Sequence, residues 1–338
     1  MWETVGQNRA VSLLQCSLER QALAHAYLFV GPPHVGKMTL ALDLAKALNC
    51  EAAEPPCGRC ASCQKIASAK HADVQVIDLA GSRNSTEAKL QTEIGIDQIR
   101  VMQHSASLPP FEGRFKVFII DGAELMSHEA ANCLLKTLEE PVGRVIFVLL
   151  TASERLLPAT IISRCQRLEL PPLSAAEIGT ALSSRCDVET PRADLLARLS
   201  NGCLGWALSA VLDDSPLQQR TERLERLLKV TSGDGEGRFD YALQLATQFG
   251  QNRESVTEIL GLWLRWWRDL LLIKAGCPGL ITNADLEDTL TSRAGDYSLL
   301  EIRDFITSIQ AALVQLKQNA NPQLVLEVLM LSLPRRGG

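Results

Sequence analysis

The sequence predicts an α/β domain built on a parallel sheet, followed by helices to the end of the chain. In the first half, short apolar runs typical of strands alternate with helical patterns, which is how a parallel sheet reads in sequence. After Ser174 only helical patterns remain. The 338 residues are 46% apolar, enough for two or three domains with packed cores.

The elements of the first half follow from apolar runs and their Pro and Gly boundaries. Strands are predicted at 26–30, 74–79, 117–120 and 145–150, and helices at 37–48, 96–107 and 125–139. Pro109 and Pro110 end the second helix, because proline cannot continue one. Pro171 and Pro172 mark a boundary, so the α/β domain is expected over residues 1–172.

Two helical parts are expected beyond this boundary. Helices at 174–182, 192–199 and 204–212 make a small module over 173–213, and residues 213–216 read as a linker. Residues 214–338 then form an all-α domain. Its helices are predicted at 217–228, 241–248, 255–274, 299–317 and 322–333.

Charge and hydropathy exclude several classes of protein. The net charge of -5 argues against a strongly basic protein that binds DNA by itself. The N-terminus lacks a basic start followed by an apolar run, so no signal peptide is expected. The most apolar helical segment contains Arg265, Arg268 and Asp269, which argues against a membrane span. A cytoplasmic location follows, where ten cysteines should be thiols or metal ligands.

A phosphate-loop motif lies between the first strand and the first helix. Residues 31–38 read GPPHVGKM. The glycines and lysine of the Walker A pattern are Gly31, Gly36 and Lys37. The next position should carry the Ser or Thr that holds Mg²⁺, but it is Met38, and Thr39 comes one residue too late. A chance turn is the alternative; the strand–loop–helix context favours a derived loop that binds ATP and Mg²⁺ poorly or not at all.

The buried strand at 116–121, KVFIID, resembles a Walker B strand. Its terminal Asp121 would stand near the metal of a nucleotide site. The glutamate that orients water in ATPases of this class is replaced by Gly122. Glu124 is two residues further on and is not expected to take over that geometry. Two independent losses predict that hydrolysis is absent.

A cysteine cluster follows the first helix. Cys50, Cys57, Cys60 and Cys63 have the spacing C-x6-C-x2-C-x2-C, which suits four thiolates around one structural Zn²⁺ over residues 50–63. Free thiols and an Fe–S cluster are the alternatives, and the spacing favours zinc. The remaining cysteines lack ligand spacing and are expected to be buried small apolar residues; they are Cys16, Cys133, Cys165, Cys186, Cys203 and Cys277.

Three segments together resemble the bacterial clamp-loader family of AAA+ proteins. They are HAYLFVGPPHVGK, EGRFKVFIIDGAELMSHEAANCLLKTLEEP and LPATIISRCQRLEL. The family includes the gamma/tau motor subunits of DNA polymerase III and its delta prime subunit. The resemblance is strong to about residue 210 and loose beyond. It implies a RecA-like P-loop domain with a zinc module, a small helical lid and a C-terminal collar domain.

The resemblance also implies roles for single residues. Arg164 lies in an SRC motif whose arginine acts as a finger in the nucleotide site of a neighbouring subunit. A plain surface arginine is the alternative. The motif follows the last predicted strand, where a subunit edge is expected. Thr151 falls at the sensor-1 position, although a strand-end threonine is the alternative. Gly205 occupies the position of the sensor-2 arginine of the motor subunits.

The expected function is therefore that of a non-catalytic assembly subunit rather than a motor. The resemblance implies gamma/tau and delta as partners in a five-subunit ring that loads the sliding clamp onto primed DNA. The alternative is an active gamma/tau-like ATPase. Trp263, Trp266 and Trp267 share one helical face, which favours core or subunit packing over a platform for stacking nucleic-acid bases.

Overall fold

The computed structural model describes residues 2–79, 93–140, 143–233, 235–318 and 320–334. Packing divides the chain into two units, each with its own interior. The first consists of Met1–Glu177 with Gly202–Gly205, and the second of Ile178–Asn201 with Trp206–Gly338.

A five-stranded parallel sheet lies at the centre of the first unit, in the order β2-β3-β4-β1-β5. The strands are β1 (Ala26–Val30), β2 (Val74–Ile77), β3 (Lys116–Asp121), β4 (Val145–Thr151) and β5 (Gln166–Glu169). The sequence did not predict β5, because it is an edge strand in which Leu168 is the single apolar residue. It pairs with β1 all the same.

Alternate side chains of the strands enter two different apolar layers, as the two-residue period of a strand requires. On β1, Tyr27 and Phe29 join one layer, whereas Ala26 and Leu28 join the other. The first layer is covered by α1 (Asn8–Glu19), α2 (Lys37–Asn49) and α3 (Ala61–Ala67). The second is covered by α4 (Ile96–Ser107), α5 (His128–Glu139) and α6 (Ala159–Ile162). The unit is thus an α/β/α sandwich, and the predicted parallel α/β fold is confirmed.

Local capping explains where α5 begins. The Ser127 hydroxyl accepts the backbone N–H of Ala130, so the helix starts at His128 rather than at residue 125. A single 3-10 turn, Ala123–Leu125, precedes it. The helices α1, α3 and α6 were not predicted.

The second unit is helical throughout its described residues. Its helices are α7 (Ala175–Cys186), α8 (Thr190–Leu199), α9 (Leu204–Leu212), α10 (Ser215–Ser232), α11 (Gly235–Gln251), α12 (Arg253–Lys274), α13 (Glu287–Ala294), α14 (Leu299–Lys317) and α15 (Pro322–Leu331). The first residues of α7 and α9, including Gly205, belong to the first unit. All of the predicted helices are present, and α13 is additional. Helix α10 begins at Ser215, inside the expected linker.

The three tryptophans of α12 form the centre of the helical core. Trp263, Trp266 and Trp267 are all buried. The ring centroids of Trp267 and of Phe305 on α14 lie 4.7 Å apart. The packing interpretation is confirmed, and these rings are not accessible for stacking on nucleic-acid bases. No helix in the described parts of the chain is both long and apolar enough to cross a membrane.

Candidate functional site

Three neighbouring parallel strands bring the predicted nucleotide-site residues together at the edge of the sheet that is formed by the carboxyl ends of the strands. Asp121 ends β3, Thr151 ends β4, and Gly31 follows β1 directly. The N–H of Gly31 donates to the carbonyl oxygen of Thr151 over 3.1 Å, which ties the start of the phosphate loop to the end of β4. The Thr151 side chain is buried, and its hydroxyl accepts the N–H of Ser153 at 3.0 Å.

The phosphate loop leads into the N-terminus of α2, the arrangement that suits an anion. Gly36 precedes the helix with a φ of 106°, a backbone angle that favours glycine. The Lys37 ammonium, however, donates to the carbonyl oxygens of Gly31 at 2.6 Å and Pro32 at 2.8 Å. The charge that should meet a phosphate is therefore engaged by the loop itself.

The residues that follow the lysine do not supply a metal ligand. Met38 is partly buried and packs against the apolar layer formed by α1, α2 and α3. Its thioether is a weak acceptor and a poor partner for Mg²⁺. Thr39 is half-buried and lies at the next helical position.

The backbone after β3 disfavours the glutamate that ATPases of this class carry there. Burial raises the pKa of the Asp121 carboxyl above its ordinary value, and the Lys37 ammonium partly offsets this. Gly122 has a φ of 73°, in the left-handed region that side chains other than glycine rarely adopt. A glutamate at this position would therefore strain the backbone.

Glu124 reaches the same edge of the sheet, which the spacing in the sequence did not lead us to expect. Its Oε1 accepts the backbone N–H of Ala152, the residue after Thr151, over 2.8 Å. Its Oε2 is buried and has no hydrogen-bond partner among the described residues. The 3-10 turn that starts at Ala123 brings this carboxylate to the end of β4.

Gly205 lies directly against the phosphate loop. Its N–H donates to the carbonyl oxygen of His34 over 2.8 Å. A Cβ atom at position 205 would lie only 2.9 Å from the same oxygen. His34 itself has a φ of 61°, so the loop is bent sharply at this contact. A side chain at position 205 has no room unless the loop shifts.

Arg164 lies in the turn between α6 and β5. It therefore precedes the last strand of the sheet, so the expectation that the SRC motif follows the last strand is wrong; the missed strand β5 is the reason. The N–H groups of Arg164 donate to the carbonyl oxygen of Thr160 at 2.9 Å and to Glu139 Oε1 at 2.5 Å. Its side chain remains 33% exposed.

The four cysteines of the predicted metal module come together. The Sγ atoms of Cys50, Cys57, Cys60 and Cys63 all lie within 4.8 Å of one another. A tetrahedral zinc with Zn–S bonds of about 2.3 Å needs sulfur atoms about 3.8 Å apart, so a small contraction completes the site. Among the described residues, this cluster thus consists of four cysteine sulfur atoms, without His or carboxylate ligands.

Backbone N–H groups point at the sulfur atoms, as suits thiolates. The N–H of Cys57 donates to Cys50 Sγ at 3.4 Å, and that of Cys60 donates to Cys57 Sγ at 3.3 Å. Backbone N–H groups of Arg59 and Cys60 lower the pKa of Cys57 to about 6, whereas burial raises the pKa of Cys63 to about 12. A bound metal cation would favour the thiolate form of Cys63.

The other six cysteines are less buried than we expected. Five are half-buried and Cys277 is exposed, so the prediction of buried apolar residues is wrong in that respect. Cys277 lies in the turn after α12, where the chain leaves the core.

Known proteins that are similar to this chain include subunits of DNA polymerase III. Family models described as "DNA polymerase III, delta subunit" and "DNA polymerase III, delta subunit, C terminal" match residues 6–174 and 215–334. The chain is 32% identical to DNA polymerase III subunit delta' of Bacillus subtilis, over 97% of this chain and 96% of that protein. The chain belongs to the delta prime and tau/gamma family of DNA polymerase III subunits.

Members with other names are also similar to it. The tau subunit of Bacillus subtilis is 28% identical over 96% of this chain, which spans 60% of the length of that tau subunit. Among solved structures, a gamma subunit-related protein from Thermotoga maritima has 21% identity and a TM-score of 0.47, covering 95% of this chain and 97% of that one.

Proposed function

We propose that this chain is the delta prime subunit of a bacterial clamp loader and a stator that does not hydrolyse ATP. Its identity of 32% to a delta' relative over 97% of this chain, compared with 28% to a tau relative over 96% of it, supports this assignment. The partners would be tau/gamma and delta subunits in a five-membered ring that loads the sliding clamp onto primed DNA in the cytoplasm. Residues 1–172 would form the AAA+ domain, 173–213 the lid and 214–338 the collar.

The phosphate loop carries the proposal that the chain itself does not hydrolyse ATP. The Lys37 ammonium donates to carbonyl oxygens of its own loop, and the N–H of Gly205 donates to the carbonyl oxygen of His34 in the same loop. Met38 replaces the Mg²⁺ ligand, and the left-handed backbone at Gly122 disfavours a glutamate. Gly31, Gly36, Lys37, Thr39, Asp121 and Thr151 would remain as a degenerate nucleotide site.

An active gamma/tau-like ATPase is the second candidate, and one observation favours it. The Glu124 carboxylate lies at the sheet edge close enough to Asp121 to raise the pKa of that carboxyl. It could act on water if Mg²⁺ and ATP were held. The Met38 thioether opposes this, since it leaves the metal without its hydroxyl ligand.

ATP binding and turnover by the purified chain separate the two candidates. We expect no Mg²⁺-dependent turnover from the unmodified chain, and none from Met38→Thr alone. Turnover that persists through further purification and disappears in Lys37→Ala would instead identify a motor subunit.

Arg164 would act on the nucleotide of a neighbouring subunit. A guanidinium is planar, always charged and can donate two parallel hydrogen bonds to phosphate oxygens. Placed beside the γ-phosphate of the neighbour, it would stabilise the charge that develops as the phosphoryl group is transferred. The neighbour would hold Mg²⁺ and the nucleotide, whereas this chain would supply only the arginine.

The test of this role is a reconstituted clamp loader that contains Arg164→Ala. We expect assembly to be unchanged, but clamp- and DNA-stimulated hydrolysis and clamp loading to fall; Arg164→Lys should not restore them because lysine lacks the planar fork. Arg167→Ala, three residues along and exposed, is the matched control. Normal rates with Arg164→Ala in an intact complex would show that this arginine is not a finger.

We also propose that Cys50, Cys57, Cys60 and Cys63 hold one Zn²⁺. The closed set of sulfur ligands suits zinc, and its role would be structural because no position is left open for water or substrate. The module ends in the first turn of α3, a helix that packs on the same apolar layer as the phosphate-loop helix α2.

A further inference from the structure

The guanidinium of Arg164 is oriented by its own unit. Nη1 donates to the carbonyl oxygen of Thr160, and Nη2 donates to Glu139 Oε1. Glu139 is the last residue of α5, and its side chain is 50% exposed. The two contacts come from different helices, so together they fix the direction of the arginine side chain as well as its position.

The backbone on both sides of the pair is held by the core. Leu138, next to Glu139, and Ile161 of α6 are buried in the same apolar layer. Cys165, next to Arg164, packs against that layer as well. The carboxylate and the guanidinium are thus carried by rigid segments, and neither side chain needs a partner subunit to find the other.

This arrangement leaves the arginine able to bind a second anion. A guanidinium has five N–H donors, and the contacts to Thr160 and Glu139 need only two of them. An arginine already held in one rotamer loses less conformational entropy when it meets a phosphate.

We propose that Glu139 is a positioning residue for Arg164, orienting the guanidinium toward the nucleotide of the neighbouring subunit. The inference rests on the proposed role of Arg164 in trans. Glu139 would not contact the nucleotide itself; it would raise the fraction of time that the arginine points outward in the productive rotamer.

The test is a double-mutant cycle in the reconstituted clamp loader, with the Arg164→Ala complex giving the background from the other nucleotide sites. Above that background, Glu139→Ala should lower the kcat of clamp- and DNA-stimulated hydrolysis about threefold to fivefold. An effect of this size is expected from the loss of one exposed ion pair. The KM for ATP should not change. In the Arg164→Ala background, Glu139→Ala should have no further effect.

Two further variants separate positioning from a general charge effect. Glu139→Gln keeps an oxygen that accepts from Nη2 and should restore part of the rate. Glu140→Ala removes the same charge from the next residue, which is also exposed, and should leave the rate unchanged. Circular dichroism and assembly of each complex check the fold.

The outcomes are distinct. If Arg164→Ala has no effect, the proposed finger fails, and the role of Glu139 fails with it. If Arg164→Ala lowers the rate but Glu139→Ala matches the unmodified complex or exceeds it, the positioning role alone is overturned. An effect of Glu139→Ala that persists without Arg164 overturns it as well.

Discussion

Two glycines occupy positions where an ATPase of this class would carry functional side chains, and the local structure disfavours a side chain at each. At Gly122 the φ of 73° disfavours any other residue by about 1–2 kcal/mol. At Gly205 the carbonyl oxygen of His34 fills the space that a side chain would need. The losses are therefore built into the loop geometry, so single substitutions should not reverse them.

Gly205→Ala tests whether this contact holds the phosphate loop. Helix propensity alone would favour alanine by up to about 1 kcal/mol. The new Cβ would lie 2.9 Å from backbone, which cannot move as a flexible side chain can; such overpacking costs about 1–3 kcal/mol. We expect a net lower melting temperature, together with faster hydrogen exchange of the phosphate-loop amides.

Gly261→Ala in α12 is the matched control. A Cβ there meets only Arg265 Nη1 at 3.6 Å, an ordinary contact, so alanine should stabilise the helix by up to about 1 kcal/mol. If both variants raise the melting temperature equally, the close approach to His34 does not make alanine unfavourable at position 205.

Residue identity was readable from the sequence, but backbone geometry was not. The sequence identified Met38, Gly122 and Gly205 as departures from an ATPase. It could not show that the Lys37 ammonium donates to the carbonyl oxygen of Gly31, because that contact depends on the fold of the residues between them. It also missed the approach of Glu124 to the end of β4, which depends on a single 3-10 turn.

At the scale of elements, one substitution in the proposed zinc module tests whether the four cysteines hold a metal. Cys60 is both a proposed ligand and the N-cap of α3, where its sulfur accepts the N–H of Cys63. Serine is among the best N-cap residues, so Cys60→Ser removes the ligand but keeps the cap. We expect metal analysis to fall from near one zinc per chain to near zero, with the loop before α3 becoming sensitive to proteolysis.

The core of the first unit should survive this change, because its two apolar layers are held by the sheet. Cys16→Ser, on α1 and outside the cluster, is the control and should keep its zinc. Unmodified protein purified without chelator that lacks zinc, or that shows Fe–S absorption, would contradict the assignment.

Some predicted elements match the observed ones closely, whereas others were missed, among them the 12-residue helix α1. Helix α14 was predicted at its observed bounds, and a capping box between Ser298 and Glu301 fixes its start. Strand β5 and helix α3 were missed. Each is short, and each depends on a neighbour: β1 for the strand and the cysteine cluster for the helix.

At the scale of the whole molecule, the helical unit has an apolar surface on α15. Leu324, Val328 and Leu331 recur at helical spacing and are 61%, 56% and 69% exposed. Leu243 and Phe239 on α11, which packs against α15, are exposed too. Exposed apolar side chains along one face of a helix are typical of a protein interface. It supports the proposal that this unit contacts other subunits.

Val328→Asp places a charge in the middle of this surface. Val328 contributes little to the core of the unit. The free energy of unfolding of the isolated variant should therefore lie within about 0.5 kcal/mol of that of the unmodified chain. Burying an unpaired carboxylate in an interface is costly, so we expect assembly with tau/gamma and delta to weaken at least about tenfold. Size-exclusion chromatography and analytical ultracentrifugation of the mixed subunits measure this directly. Thr221→Asp on α10 adds the same charge at an exposed polar position and should assemble normally. Equal assembly by both variants would mean that the α15 surface faces solvent in the complex, and that the ring is held by other parts of the chain.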